Sequence, residues 1–312
     1  MPIAVRFLLI SLVVVCLMAG YSARACAVTG GVAADAVLAD PSRYTVEEVA
    51  LANAVSATTV PLLGLDAAGR QISLCSASVV HPRVVLTAAH CLFIGGGVNR
   101  RLAVQFDGGS GAPERRQAID IAVHPRFLDL VQGGKYRPGA GSIADLPKKR
   151  RAQYLASDLA LVLLDRPIPA THGVVEMVPD GFRDSLATPK VIAGYGQMHK
   201  SVRLKDLTLR FAGLRGNTRD LQGVVGGGGE IVMESRYRNG TKVNVCSGDS
   251  GGPVFVLQRG APGLRQIAVA SAADLRCREF AIFAPIDGQR AVLSWMFEAL
   301  MKGEEGRTGN PF

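Results

Sequence analysis

The 312-residue sequence predicts an all-β fold, a barrel or sandwich of short strands, on three observations. From about Val60 onward the chain is a succession of apolar runs of four to eight residues separated by turn signals, without alternating strand and helix units. Glycine occurs 36 times while aromatics make up only 6%, so the core rests on Val, Leu, Ile and Ala with many turns between elements. Repeats, collagen periods and long heptad runs are absent from the sequence, which excludes solenoids, fibres and coiled coils. The balance of 48% hydrophobic to 20% charged residues also excludes a disordered polyelectrolyte, because there is enough apolar mass to offset the entropy of ordering.

Met1 to Ala27 reads as a signal peptide: Arg6 is the basic start, Phe7 to Ala19 the apolar run, and Ala23, Ala25 and Ala27 the small residues of a cleavage region. Cleavage after Ala25 and after Ala27 both satisfy the small-x-small pattern. A membrane anchor is the competing reading, but a span takes about 20 apolar residues and Gly20, Tyr21, Ser22 and Arg24 interrupt sooner. Arg24 stands where a lipoprotein signal at Cys26 needs a small apolar residue. Removing residues 1–27 takes away Arg6 and Arg24 and no acid, so the net charge falls from +9 to +7. It also removes Cys16 and Cys26, leaving Cys75, Cys91, Cys246 and Cys277. In an exported chain these suggest two disulfides, with three connectivities open to sequence alone. Zinc ligation competes, but no C-x-x-C or H-x-x-x-H spacing supports it, and no metal or other cofactor is expected.

After a small-residue stretch at 28–40, Thr45 to Val55 has helical spacing behind a Ser42/Thr45 cap and is expected to be a short surface helix. Strands are expected at Val60–Leu65, Ile72–Val80, Val84–Ala88, Leu102–Phe106, Ile119–Val123, Leu159–Leu164, Val191–Gly194, Val254–Leu257, Gln266–Ala270 and Ala281–Phe283. Gln132 to Gln153 carries Gly133-Gly134, Arg137-Pro138-Gly139 and the basic run Lys148-Lys149-Arg150-Arg151, and reads as a mobile exposed loop. Asp165–Thr171, with Pro167 and Pro169, is the expected connection between two halves. Asp287 to about Met301, with the only Trp at 295, reads as a closing helix before a polar tail.

Three distant segments hold the residue types that make an alcohol nucleophilic near neutral pH. Thr87-Ala88-Ala89-His90-Cys91 sets a histidine after a short apolar strand, and Ser157-Asp158-Leu159-Ala160-Leu161-Val162-Leu163-Leu164 sets an acid at the mouth of another. The third is Cys246-Ser247-Gly248-Asp249-Ser250-Gly251-Gly252-Pro253-Val254. A serine hydroxyl is a weak nucleophile until an adjacent base removes its proton, and the base in turn needs an orienting acid.

In these motifs, in the order His, Asp, Ser, the chain resembles the chymotrypsin-like serine peptidases over nearly all of its mature length. The resemblance implies two six-stranded antiparallel Greek-key β-barrels with a C-terminal helix. The N-terminal barrel would span residues 28–166 with His90 and Asp158, and the C-terminal barrel plus helix residues 167–302 with Ser250, before a tail at 303–312. It implies endopeptidase chemistry through an acyl-enzyme on Ser250, with His90 as base then acid and Asp158 holding the other ring nitrogen. The oxyanion would be held by the N–H groups of Gly248 and Ser250. His81, His124, His172 and His199 are assigned structural roles, and Asp165 a strand-end role.

The resemblance also pairs Cys75 with Cys91, 16 residues apart, and Cys246 with Cys277. It pairs a freshly cut amino terminus with the acid before the catalytic serine, here Asp249. Val28-Thr29-Gly30-Gly31 resembles the required start, so cleavage after Ala27 would activate the protein without a separate propeptide. His90 lies 62 residues beyond Val28, more than the usual domain needs, which marks Thr45–Val55 as an insertion. Counting back six from Ser250 puts Asn244 at the base of the substrate pocket, where an acid would select Lys or Arg and a neutral amide does not. Counting back six from Cys277 puts Ser271 on the substrate-pairing strand. Ala273 and Ala281 stand where open-pocket members carry Gly, so neutral side chains of small to medium size are expected at the cleaved bond.

The expected partners are protein or peptide substrates and a proteinaceous inhibitor, acting on a monomer with no membrane span once the signal is removed. The location is secreted or periplasmic, compatible with a bacterial source. A catalytically silent binding protein on the same fold is the main rival, though such relatives usually lose a triad residue. A polyanion-binding exported protein is the second, on the basic charge and Lys148–Arg151, but no nucleic-acid motif accompanies that charge and nucleic acid is not expected as a partner.

Overall fold

The computed structural model describes residues 28, 30–94, 96–106, 113–133, 138, 146–182, 189–196, 207–215, 231–234, 236–238, 241–257, 263–273, 277 and 280–308. Residues 1–27, on which the expected signal peptide falls, His199 and residues 309–312 lie outside the described residues. No helix among the described residues is long and apolar enough to cross a membrane.

The chain enters through strand β1 (Val32–Ala33), followed by helix α1 (Ala34–Ala39), a 3-10 turn at Pro41–Arg43 and helix α2 (Val46–Thr58). The expected helix at Thr45–Val55 is α2, and its start follows from a capping box. The Thr45 hydroxyl accepts from Glu48 N while the Glu48 carboxylate accepts from Thr45 N. It buries Ala52 and Val55 beside Val37 of α1 and Tyr195.

A closed six-stranded antiparallel barrel follows. Its strands are β2 (Thr59–Leu65), β3 (Gln71–His81) and β4 (Val84–Thr87), then β7 (Leu102–Phe106), β8 (Glu114–Val123) and β9 (Ala160–Leu164), with a small β5 (Phe93–Ile94) and β6 (Gly97–Val98) hairpin between β4 and β7. The barrel order is β2-β3-β4-β9-β8-β7, and closure leaves no exposed sheet edge. Each expected strand of this half is present. β8 starts at Glu114, five residues before the expected Ile119, because buried Arg116 finds partners: its Nε donates to Pro167 O at 2.8 Å and it lies 5.8 Å from the Phe106 ring centroid.

Between β8 and β9 the expected long loop is partly helical, which corrects the reading of Gln132–Gln153. Helix α3 (Pro125–Gln132) ends at Gln132, and α4 (Lys148–Ala156) contains the whole basic run. Cations in a first helical turn oppose the macrodipole, so that run hides the helix from a sequence reading. Burial of Ala152, Tyr154 and Leu155, with Tyr154 4.7 Å from the Phe127 ring of α3, outweighs it.

The second half comprises β10 (Glu176–Met177), β11 (Pro189–Gly194), β12 (Arg210–Arg215), β13 (Ile231–Glu234), β14 (Arg236–Arg238), β15 (Thr241–Val243), β16 (Pro253–Leu257), β17 (Leu264–Ala273) and β18 (Phe280–Pro285). Six of these strands and β1 run in the order β1-β12-β11-β16-β17-β18-β13, with β10 beside β17 as the eighth strand of that sheet. Among the described residues this sheet has eight strands and is not a closed six-stranded barrel. Strands β12 to β15 are absent from the sequence expectation because Arg, Glu, Lys and Gly interrupt their apolar pattern. Helix α5 (Arg290–Thr308) closes the molecule, burying Leu293, Met296 and Leu300 and leaving Trp295 58% exposed. It runs six residues into the expected 303–312 tail, and Phe297 meets His81 of the first barrel at 5.1 Å.

Candidate active site

His90 lies in a 3-10 turn (Ala89–Leu92) directly after β4, with Ala88 and Ala89 fully buried beneath it. Asp158 lies between α4 and β9 and is fully buried. Because β4 pairs with β9 so that Thr87 faces Ala160, the ends of the two strands bring these residues together. His90 N donates to Asp158 Oδ1 at 2.8 Å and His90 Nδ1 meets Oδ2 at 2.7 Å. A carboxylate accepts only, so Nδ1 carries the proton and Nε2 keeps its lone pair. Burial pushes the imidazole pKa down, but the charge and hydrogen bond of Asp158 outweigh it and hold His90 above its ordinary value.

Ser271 of β17 adds a bond that sequence reasoning misses: its hydroxyl donates to Asp158 Oδ2 at 2.5 Å. A bulge between Ala270 and Ala272 marks the strand at that residue. No spacing rule ties residue 271 to residue 158, so only the fold reveals the contact.

Ser250 sits in the turn before β16, whose shape depends on glycines. Gly248 (φ +94°) and Gly251 (φ +83°) occupy the left-handed region, and a Cβ at Gly251 would come within 2.2 Å of Ser76 O. The loop is fastened to the first barrel by Ser76. Ser76 N donates to Ser250 O at 2.8 Å, and its hydroxyl donates to Gly248 O at 2.9 Å while accepting from Tyr195 N at 2.9 Å. Ser76, a residue with no sequence signal, thus links the Ser250 loop to β11's exit. Cys91 Sγ lies 3.6 Å from Ser250 O and 4.0 Å from His90 Nε2, which brings the Ser250 backbone beside the histidine. The hydrogen bonds of the described residues include none between Ser250 Oγ and His90, and none donated by Gly248 N or Ser250 N.

Both expected disulfides are present. Cys75–Cys91 braces the histidine turn and Cys246–Cys277 braces the serine loop. Cys75, Cys91 and His90 form the single His/Cys/acid cluster of metal-ligating size among the described residues, and the disulfide occupies both of its sulfurs.

Asp249 is fully buried and accepts from Val28 N at 3.1 Å, Cys246 N at 2.9 Å and Gly196 N at 2.8 Å. Burial pushes its pKa up to about 6 against the pull of these donors and of the Arg210 guanidinium. Val28 is fully buried as well, and in the uncut chain its nitrogen is a peptide N–H. Asn244 is buried with Oδ1 accepting from Val245 N at 2.8 Å, while Ala273 and Ala281 face each other directly across β17 and β18.

The other described histidines have partners of their own. His81 Nδ1 accepts from Arg83 N, His124 caps α3 and meets Gln289 Oε1 at 3.0 Å, and His172 packs edge-on against Phe106. Asp165, at the end of β9, accepts from Gln117 N.

The arrangement can hold an imidazole with its free nitrogen beside a serine backbone. Residues 58–295, which contain all three motif segments and both disulfides, match the family model described as Trypsin, and the chain belongs to the trypsin family of serine-type peptidases.

Proposed function

We propose that the protein is an exported serine endopeptidase that cleaves peptide bonds through an acyl-enzyme on Ser250. The observation that carries this reading is the His90 imidazole fixed by Asp158 through both its own N–H and Nδ1, beside the backbone of Ser250. His90 Nε2 takes the Ser250 proton as Oγ attacks the substrate carbonyl, and hands it to the leaving amine as the tetrahedral adduct collapses. Water then attacks the acyl-enzyme with His90 as base again, releasing the acid and restoring Ser250. Asp158 stabilises the imidazolium in both halves. Gly248 N–H and Ser250 N–H, which donate to no described residue, stabilise the oxyanion. The missing Ser250–His90 hydrogen bond is compatible with this, because such contacts often tighten only when substrate is bound.

The substrate side chain next to the cleaved bond is neutral and of small to medium size. Asn244 at the pocket base carries no charge, and the Ala273 and Ala281 methyl groups narrow the entrance. Residues 1–27 direct export, and cleavage after Ala27 frees the Val28 amine to pair with Asp249. Two disulfides fit an oxidising compartment, and the 3.1 Å Val28–Asp249 contact fits that terminus. Sequencing the mature amino terminus tests the cleavage, and a start other than Val28 sinks it.

Treatment of the folded protein with a fluorophosphonate probe, beside Ser250→Ala, tests the chemistry. Labelling mapped to Ser250 and lost in the variant is expected. A folded protein beginning at Val28 that takes no label would instead be a silent binding protein.

A further inference from the structure

We infer that Arg210 is a second cationic partner of Asp249, a positioning residue that holds the Ser250 loop in working shape even before the Val28 amine is freed. The inference rests on the proposed roles of Ser250 and of the Val28–Asp249 pair.

The geometry comes from strand register. In the β11–β12 pair, Arg210 stands directly opposite Gly194. Directly opposed residues of an antiparallel pair project their side chains to the same face. That face looks onto Asp249, since a Cβ built at Gly194 would lie 2.4 Å from Asp249 Oδ1. Arg210 therefore leaves the sheet on the side of the carboxylate, which occupies the space that a side chain at residue 194 would take. Its other register neighbour is Ala33 of β1, only five residues after Val28, so the activation segment and the guanidinium border one another.

The chemistry follows from what else surrounds the carboxylate. Its three direct donors, Val28 N, Gly196 N and Cys246 N, are neutral amides in the uncut chain. A buried carboxylate held by amides alone tends to take a proton near neutral pH and then to loosen its hold on those donors. Arg210 acts in the opposite direction, favouring the ionised form. Arg210 on β12 acts on Asp249 as a charge, joined once the chain is cut by the Val28 amine; Cys246 is in a disulfide and β11 presents Gly194 to the carboxylate.

The state of Asp249 reaches the serine by a short route. Gly196 N holds Asp249, the adjoining Tyr195 N donates to Ser76 Oγ, and that hydroxyl donates to Gly248 O in the serine loop. An ionised Asp249 thus keeps both flanks of the loop tied, with or without a free amino terminus. The consequence is a peptidase whose activity depends only weakly on amino-terminal processing.

The test compares two forms of the full catalytic chain, one starting at Val28 and one carrying an uncleavable two-residue extension, each with Arg210, Arg210→Gln and Arg210→Lys. Activity on a Leu ester and fluorophosphonate labelling are read beside the melting temperature. The extended form with Arg210 is expected to stay within about tenfold of the Val28 form. Arg210→Gln should cost the extended form at least about tenfold more than the Val28 form, and Arg210→Lys should recover most of that. In the Val28 form, Arg210→Gln should also add an alkaline decline as the amine loses its proton, from an ordinary value near ~8. Equal losses in both forms would mark Arg210 as merely structural, and no loss in either, or an inactive extended form with Arg210, would overturn the inference. If Arg210→Gln fails to fold, Arg210→Lys decides together with the extended form. Absence of labelling in every form with Arg210 would instead sink the Ser250 reading itself.

Discussion

The Ser271 hydroxyl donates at 2.5 Å to Asp158 Oδ2, the same carboxylate oxygen that His90 Nδ1 meets at 2.7 Å. The acid that orients the histidine comes from the first barrel, and the residue that steadies the acid comes from β17 of the second sheet. The site is therefore stitched across the two halves at its acid as well as at its serine loop.

Ser271→Ala removes one hydrogen bond to a buried charged group, a loss of about 1.5 to 3 kcal/mol in such cases. Ester hydrolysis should fall about 10- to 100-fold in kcat/KM, with Ser250 still labelled by a fluorophosphonate. Unchanged kinetics in a variant of unchanged melting temperature would mean that the Ser271 bond does not hold Asp158 in place.

The pH profile carries the sign of the His90 shift. Asp158 holds the imidazole above its ordinary 6.5, and only the neutral ring can accept the Ser250 proton. Activity should therefore be complete at mildly alkaline pH and decline as pH falls, with a midpoint above 6.5. Asp158→Asn removes the charge that raises it, so the residual activity, lower by about 10⁴-fold, should show its midpoint at lower pH. A wild-type midpoint below that of free imidazole would contradict the arrangement.

Much of this fold is legible in the sequence, and the exceptions share a cause. Strands such as Leu102–Phe106 and the capped helix after Thr45 declare themselves by pattern and cap, because local chemistry and final burial agree there. Strand Arg210–Arg215 and helix Lys148–Ala156 do not, because their charged residues argue locally against what tertiary packing imposes. At the site, His90, Asp158 and both disulfides follow from motif and resemblance. The bonds of Ser76 to Gly248 and of Ser271 to Asp158 do not, since each joins residues more than 100 positions apart.

The burial of Asp249 makes stability depend on pH. Burial lifts its pKa from 3.8 to about 6, so the folded uncut chain binds a proton that the unfolded chain has released within that window. Its contribution to stability is therefore greatest below about pH 4 and is lost as pH rises through about 6, by about 3 kcal/mol in all. In the chain starting at Val28 an ammonium replaces the amide at the 3.1 Å contact and favours the ionised form. Denaturant unfolding at pH 4 and pH 7 should show a smaller loss for the Val28 form than for an extended one. Identical pH dependence in the two would place the terminus elsewhere than at Asp249.

The proposed pocket floor carries no charge. Asn244 is buried and its Oδ1 accepts from Val245 N, a bond that an aspartate at the same position can keep while adding a negative charge. The wild-type protein should cleave Ala, Val or Leu esters faster than an Arg ester, and Asn244→Asp should reverse that order. The gain should be larger when Ala273→Gly is added, because Ala273 and Ala281 oppose each other across β17 and β18, where on the proposed reading their methyl groups narrow the way to the floor. A wild-type preference for the Arg ester would show that residue 244 does not face the substrate side chain. Reversal by Asn244→Asp alone, with no further gain from Ala273→Gly, would place the methyl groups outside the entrance.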